Sequence, residues 1–504
     1  MAEEHAAART PGEIRRRVHE YLRQNSPREA IDAAWRAFDL AADDREIRRL
    51  LAELLQHHPS ELLPARRSDY LRLLTDRQIE PDLINAAGWN LLMQSHRLDE
   101  DAGDRGFESL AGACERDELM LALLREAPVN HAEAEYLITR LRRWLLLSRC
   151  WDRYPALVAA LQAQARLNGG AWPFDKDERA RLAEPASGPM VSAYLPSLLG
   201  NTAAKPTAAD PVTRAVTTQY EGWPYPAWTR VRREKPTRLP DIIRKMDPVL
   251  ADLLPVAANI LVAGCGTGRQ AAAVALRCPD AAVTAIDVSA ASLDYGRRQC
   301  AAIGITNVRF LQLDLHAVAQ LGQRFHAIHC GGVLHHLPDP ERGWRLLTEV
   351  LEPAGVMRIM VYNNVARLRI LGARKLLGEL MQKPIDDDLL RQVRGRLLRQ
   401  RAHPLAAHAV RSRDFATLAG SHDLLLHRHE DPFDPSRIKR ALEALGLRLL
   451  AFDLPSPAAV AQYEAMFPAD HARRNIDSWI AFAQQNFSLG NFRFWCSQAS
   501  AAAA

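Results

Sequence analysis

The sequence predicts an α/β fold: a doubly wound sheet in the C-terminal half, preceded by an all-α domain. Three observations lead there. From residue 259, short apolar and β-branched runs alternate with helical segments. The first of these runs leads straight into a glycine-rich turn that opens a helix. Residues 12 to about 185 show helical spacing of apolar residues and no strand-like alternation.

A chain of 504 residues is too long for one core, so two or three domains are expected. The reading is a helical domain over 1–185, either a bundle or a short helical-repeat-like array, then a connecting segment over 186–250. The sheet domain follows over 251–504, with helical insertions at about 364–434 and 457–487. Hydrophobic residues make up 48% and charged residues 25%, as in ordinary globular proteins. A net charge of +5 is too slight for a whole-protein nucleic-acid binder. Seven scattered cysteines without a CxxC pair indicate neither a zinc knuckle nor a disulfide framework. The N-terminus begins Met1, Ala2, Glu3, Glu4, with no apolar signal core, and no apolar run reaches transmembrane length. The expectation is a cytoplasmic protein without a membrane partner.

In the helical region, Ser26-Pro27-Arg28-Glu29 reads as a capped helix start. Leu50, Leu51, Leu54 and Leu55 form one apolar face. Asn130 and Glu133 are candidate caps for a helix carrying Leu137, Leu141 and Leu145. No convincing period near 34 residues emerges. The connecting segment is rich in proline and small residues from Pro196 to Pro211. It ends in the cluster Gln219-Tyr220-Glu221-Gly222-Trp223-Pro224-Tyr225-Pro226-Ala227-Trp228, whose four large aromatics and two prolines suit a structured segment.

Strands are expected at 259–263, 282–287, 307–312, 325–330 and 356–362, with helices between them. Two more, at 447–454 and 491–497, suit an antiparallel edge and bring the sheet to seven strands. Ala263-Gly264-Cys265-Gly266-Thr267-Gly268 follows the first strand with GxGxG spacing. Arg269 stands where a dinucleotide fingerprint requires its third glycine, so a pyrophosphate site does not fit. Asp287 closes the second strand, where a carboxylate accepts from ribose hydroxyls. Asp314 follows the third and can accept from an adenine amino group. Either carboxylate alone is also a common helix cap. The ordered set describes an adenosine pocket without phosphates.

With the segments Phe325 to Pro340 and Leu351-Glu352-Pro353-Ala354-Gly355, these motifs make the chain resemble the class I S-adenosylmethionine-dependent methyltransferases. More narrowly it resembles bacterial type 12-like members with a tetratricopeptide-like helical N-terminus and a QYExxPYPxW segment. That likeness extends over about residues 114–504, including Asp423-Leu424-Leu425-Leu426-His427 and Phe494-Trp495. It implies a Rossmann-like sheet and S-adenosyl-L-methionine as cofactor. It assigns the cofactor to Tyr220, Gly264, Cys265, Gly266, Gly268, Asp287, Val288, Asp314, Leu315 and Gly331. Many members carry an acidic residue two positions before the first glycine. Here Val262 stands there, so the methionine ammonium needs another partner, with Glu221 or backbone carbonyls near Gly264 and Gly331 as candidates.

On the acceptor side the candidate catalytic residues are His335, Tyr225 and Tyr362. His335 and His336 follow the fourth strand, where a histidine can take a proton or serve as a structural partner under the cofactor. Tyr220, Trp223, Tyr225 and Trp228 either close as a lid or pack the connecting segment. His422, His427, His429 and Glu430 crowd nine residues, but their spacing marks no known ligand set and no metal is expected. Twelve basic and four acidic residues within 367–413 form either a solvated helix face or a docking surface for an acidic partner.

Relative to the resembled family, Cys330-Gly331-Gly332-Val333 lacks an Asn/Asp-Pro-Pro-aromatic motif, and no Pro-Cys dipeptide occurs, so nucleic-acid bases are not expected acceptors. A protein or peptide acceptor is slightly favoured, because a large helical domain offers a polypeptide-binding surface and a place for a protein partner. The alternatives are O-, N- or C-methylation of a metabolite, and a non-catalytic cofactor-binding scaffold.

Overall fold

The computed structural model describes residues 10–24, 26–61, 63–96, 103–184, 210–454, 457–470, 472–486 and 489–499. The proline-rich stretch beginning at Pro196 lies mostly outside them. The described residues form two compact units. One gathers the chain up to residue 184 with Trp228–Arg232 and Leu376–Ser421. The other holds residues 210–227, Arg233–Lys375 and the chain from His422 onward. No described helix is long and apolar enough to cross a membrane.

The first unit is helical, from Pro11–Arg23 through Lys176–Leu182. Its core runs through Trp35, Leu51, Leu55, Tyr70, Trp89, Leu141 and Leu145. Asp44 caps Arg45–His57 by accepting from the amides of Glu46 and Ile47. Ser26 precedes Pro27–Leu40 without a side-chain cap bond. His131, not Asn130, caps Ala132–Ser148, its Nδ1 accepting from Ala134.

Part of the basic stretch belongs inside this unit rather than on a solvated face. Arg394, on the helix Asp387–Arg399, is fully buried and donates to both Glu135 oxygens, to Ser421 Oγ and to the Ala171 carbonyl. Arg391 donates to the Gly170 carbonyl and to Asp388. Two residues that read as surface charge thus join the helix to Ala132–Ser148 and the turn at 170–171. Arg396, Arg399 and Arg401 stay exposed.

The second unit is built on a seven-stranded sheet: β1 Asn259–Ala263, β2 Ala282–Asp287, β3 Val308–Gln312, β4 Phe325–Gly331, β5 Leu351–Val361, β6 Leu447–Phe452 and β7 Phe492–Gln498. Their order is β3-β2-β1-β4-β5-β7-β6. β7 runs antiparallel between β5 and β6, giving the expected antiparallel edge. β1 is covered on both faces, with Ile260 and Val262 in one core and Leu261 and Ala263 in the other. The strand order reverses between β1 and β4, and the carboxyl ends there frame the crevice where such sheets bind ligands.

Candidate active site at the carboxyl edge of the sheet

The glycine turn leaves β1 with Gly264 at φ 63° and Gly266 at φ 51°, in the left-handed region that favours glycine. Space is as tight as the dihedrals are demanding. A Cβ on Gly264 would lie 2.3 Å from Val333 Cγ2, and one on Gly266 would lie 2.7 Å from the Tyr225 carbonyl oxygen. Cys265 is buried, and its amide donates to the Ile286 carbonyl on β2.

Asp287 ends β2 with both oxygens engaged: Oδ2 accepts from the Gly266 amide at 2.7 Å and Oδ1 from Ser289 at 2.9 Å. Burial pushes its pKa up, while those amides pull it back. Each oxygen keeps acceptor capacity for a further donor. Val288 is half-buried, and its carbonyl accepts from Gln312. Asp314 caps the short helix Leu315–Leu321, its Oδ1 accepting from the His316 amide and facing His316 Nδ1. Leu315 is buried beside it, and Gly331 ends β4 with Gln270 against it. The GxGxG turn and the acids of β2 and β3 thus stand on adjacent strand ends. Backbone packed too closely for a Cβ and two carboxylates with spare acceptor sites suit the hydroxyl and amino donors of an adenosine.

The aromatic segment is tied to this turn. Thr267 donates to the carbonyls of Tyr225 and Pro226, so Tyr225 touches the turn through its backbone. Glu221 accepts from the amides of Ala290 and Ala291 at a helix start, a use that competes with holding an ammonium group. Trp228 groups with the helical unit instead.

Tyr220 joins two regions. Its carbonyl accepts from the Ser289 hydroxyl, just past Asp287. Its own hydroxyl donates to Asp423 Oδ1 at 2.7 Å and lies 3.3 Å from His427 Nε2. Tyr362, one residue past β5, donates to the other oxygen of Asp423 at 3.3 Å. Burial and the Asp423 charge raise the Tyr220 pKa well above normal, so this phenol stays protonated as a donor. Arg367 lies 4.7 Å from the Tyr362 ring centre and pairs with Glu430, which Arg374 also reaches.

Four rings stack in this cluster. His335 lies 3.8 Å from Tyr362 and His336 lies 3.6 Å from His427. His335 is fully buried, and its Nδ1 accepts from the Tyr362 amide. That bond leaves the neutral ring with its proton on Nε2. Burial lowers its pKa well below normal and takes that of His336 down to about 3. His336, Asp423 and His427 present ligand-type atoms within 4.8 Å of one another. Yet the two rings are stacked, with centroids 3.6 Å apart and planes inclined by only 21°, so an ion in the plane of one ring lies well out of the plane of the other. Convergence on one ion at a metal–nitrogen distance of ~2 Å would require the stack to break.

Asp423 is the residue that sequence reasoning missed. It falls in the helix Leu418–Leu426, about sixty residues after β5, and no periodicity marks it. In the sequence it stands only within the resembled segment Asp423–His427, with no role assigned to it.

Residues 260–355 match the family model described as a methyltransferase domain. The chain carries a class I S-adenosylmethionine-dependent methyltransferase domain. Among curated proteins, the uncharacterized protein syc1184_c of Synechococcus sp. is 34% identical over 206 residues, covering 38% of this chain and 48% of the relative. Trans-aconitate 2-methyltransferase of Deinococcus radiodurans is 36% identical over 107 residues, covering 21% and 39%. The chain spans about half or less of the length of these relatives. The solved structure of PKMT2 from Rickettsia typhi in complex with AdoHcy aligns with a TM-score of 0.39 at 16% identity, over 52% of this chain and 53% of that one. Within the methyltransferase domain, the matched span contains the glycine turn, Asp287, Asp314, Gly331 and the His335–His336 pair, and it stops short of Tyr362 and Asp423.

Proposed function

We propose that the protein transfers a methyl group from S-adenosylmethionine to an oxygen or nitrogen nucleophile bound beside Asp423. The observation that carries this reading is the reach of Tyr220, whose backbone binds the loop past Asp287 and whose hydroxyl binds Asp423. A carboxylate able to accept a proton is thereby held one side chain away from the cofactor loop.

The cofactor supplies an activated methyl group on a sulfonium. The protein orients the acceptor, excludes water and receives the proton that the nucleophile loses. Orientation alone is worth about 7–11 kcal/mol. Gly264, Cys265, Gly266, Gly268, Gly331, Val288 and Leu315 shape the pocket, while Asp287 and Asp314 accept from its hydroxyl and amino donors. Tyr220 and Tyr362 orient Asp423 by donating to both of its oxygens. Geometry favours Asp423 over His335 as the proton acceptor, because His335 offers an N–H on its remaining nitrogen and resists protonation. Tyr225 adjoins the glycine turn through its backbone carbonyl, and the Trp223 ring lies 4.6 Å from His422, next to Asp423 in sequence.

A protein or peptide acceptor accords with the large helical unit, which would also serve as the seat of a protein partner. A small-molecule acceptor is the second reading. It rests on the names of relatives, trans-aconitate 2-methyltransferase and the ubiquinone biosynthesis O-methyltransferase of Paracidovorax citrulli. A cytoplasmic setting fits seven cysteines that are all unpaired.

Calorimetric titration with S-adenosylmethionine tests the cofactor claim, and absence of binding would overturn the methyl-transfer reading. Labelled methyl transfer into cell extract, compared before and after protease digestion of the extract, separates the acceptor classes. Asp423→Asn should bind the cofactor normally and transfer at least tenfold more slowly. Full transfer by that variant would remove Asp423 from the chemistry.

A further inference from the structure

A cavity of about 600 Å³ opens within the helical unit, lined in part by the helix that carries Arg391 and Arg394. Its size falls in the range of small-molecule sites, ~300–1,000 Å³. Pro173, Phe174, Leu377 and Leu380 give it an apolar wall. One face of the helix Asp387–Arg399 completes the lining, with Asp388, Arg391, Gly395 and Arg399 at helical spacing.

The charges around the cavity are unequal. Arg179, Arg391, Arg396 and Arg399 face two lining carboxylates, Glu379 and Asp388. Asp388 is already shared, its Oδ1 accepting from both Arg179 and Arg391 at 2.8 Å. Arg391 is fixed further by its bond to the Gly170 carbonyl. Arg396 and Arg399 are exposed and form no ion pair among the described residues. Their guanidinium forks match a carboxylate or phosphate.

Gly395 is the second observation. It sits inside the helix, where glycine is among the least favourable residues. It is not in the left-handed region, so the backbone does not require it. A Cβ there would come within 3.3 Å of Arg399 Nη1. Glycine leaves the cavity floor open and lets Arg399 lie back along the helix.

We propose that this cavity binds a small organic anion, its carboxylate or phosphate held by Arg396 and Arg399 and its apolar body laid against Phe174, Leu377 and Leu380. The site is independent of the methyl-transfer reading and places a second ligand on the helical unit.

The test is calorimetric titration of the full-length protein with octanoate and with phenyl phosphate, alongside octanol, phenol and inorganic phosphate. At least one organic anion should bind saturably, and the uncharged analogues should bind at least tenfold more weakly. The double variant Arg396→Ala, Arg399→Ala should weaken the anion at least tenfold, and Gly395→Leu should do the same by filling the floor. Both variants should keep the wild-type circular dichroism spectrum and S-adenosylmethionine affinity, which separates loss of the site from loss of the fold. Absence of saturable binding, binding indifferent to these substitutions, or equal affinity for inorganic phosphate would overturn the proposal.

Discussion

The Tyr220 hydroxyl donates to Asp423 Oδ1 across 203 residues of sequence, at 2.7 Å. Tyr220 comes from the helix Pro211–Gly222 that precedes the sheet, and Asp423 from a helix inserted between β5 and β6. With Tyr362 on the second oxygen, three separate parts of the chain meet on one carboxylate. Such a buried group is costly to leave short of donors.

Tyr220→Phe should therefore destabilise the protein by about 1–3 kcal/mol, the cost of a buried polar group that loses its partner. Urea unfolding measures it. Asp423→Asn in the Tyr220→Phe background should add less than it does alone, since the two substitutions remove one interaction. Strict additivity would mean that the bond is not made in solution.

Asp287→Ala should lower S-adenosylmethionine affinity by roughly ten- to a hundredfold, as expected for loss of a hydrogen bond to a charged group worth about 1.5–3 kcal/mol. The fold should survive, though the amides of Gly266 and Ser289 also lose an acceptor. Calorimetry that returns wild-type affinity would exclude Asp287 from the pocket.

Gly264 and Gly322 share positive φ, 63° and 65°, but differ in surroundings. Alanine at either position pays the left-handed penalty, about 1–2 kcal/mol. At Gly264 the new Cβ also meets Val333, whereas no atom of the described residues lies within 4 Å at Gly322. Gly264→Ala should lose a further ~1–3 kcal/mol and cofactor binding with it. Gly322→Ala should bind normally. Paired thermal melts and titrations would show whether the two diverge.

The buried histidines set an acid limb. Burial lowers His329, His336 and His422 from 6.5 to about 3, and His335 and His427 shift in the same direction. Unfolded imidazoles take up protons near pH 6.5, while these folded ones do not until about pH 3. The unfolded state binds the extra protons between those limits, so stability falls as pH drops through that window. The raised carboxyl of Asp287 and the raised imidazole of His316, which faces Asp314, work the other way, but they are two groups against five. His422 is the sharpest probe, since neither ring nitrogen has a hydrogen-bond partner among the described residues and the ring rests 4.6 Å from Trp223. His422→Phe should hold or raise stability at about pH 5 and flatten the pH dependence of the urea midpoint. A steeper limb in the variant would refute the assignment.

Arg394→Met should cost about 3–5 kcal/mol, because Glu135 would remain charged and unpaired in the interior. Arg396→Met, on the exposed side of the same helix, should lie within ~0.5 kcal/mol of wild type. Chemical denaturation of both variants distinguishes them.

The sheet and its cofactor edge were legible because their signals are local. A buried strand reads as a short apolar run, a tight turn as glycines, and a strand-end acid by its distance from that turn. Asp423 was not legible, since its meaning comes from two tyrosines brought up by distant segments. Arg391 and Arg394 misled for a related reason: sequence shows the charge but not the distant Gly170 carbonyl or Glu135 that receives it. His131 took the capping position that Asn130 suggested, a shift of one residue that helix-start patterns cannot resolve.

The buried pairing of Arg394 with Glu135 also bears on synthesis. A ribosome releases the N-terminal helices long before it reaches the segment Leu376–Ser421 that completes their unit. Until then Glu135 waits without its guanidinium, and a polypeptide halted at residue 375 would emerge with that hole open. Nascent chains stopped on either side of residue 421 should differ sharply in protease resistance, even though all of their N-terminal helices are present.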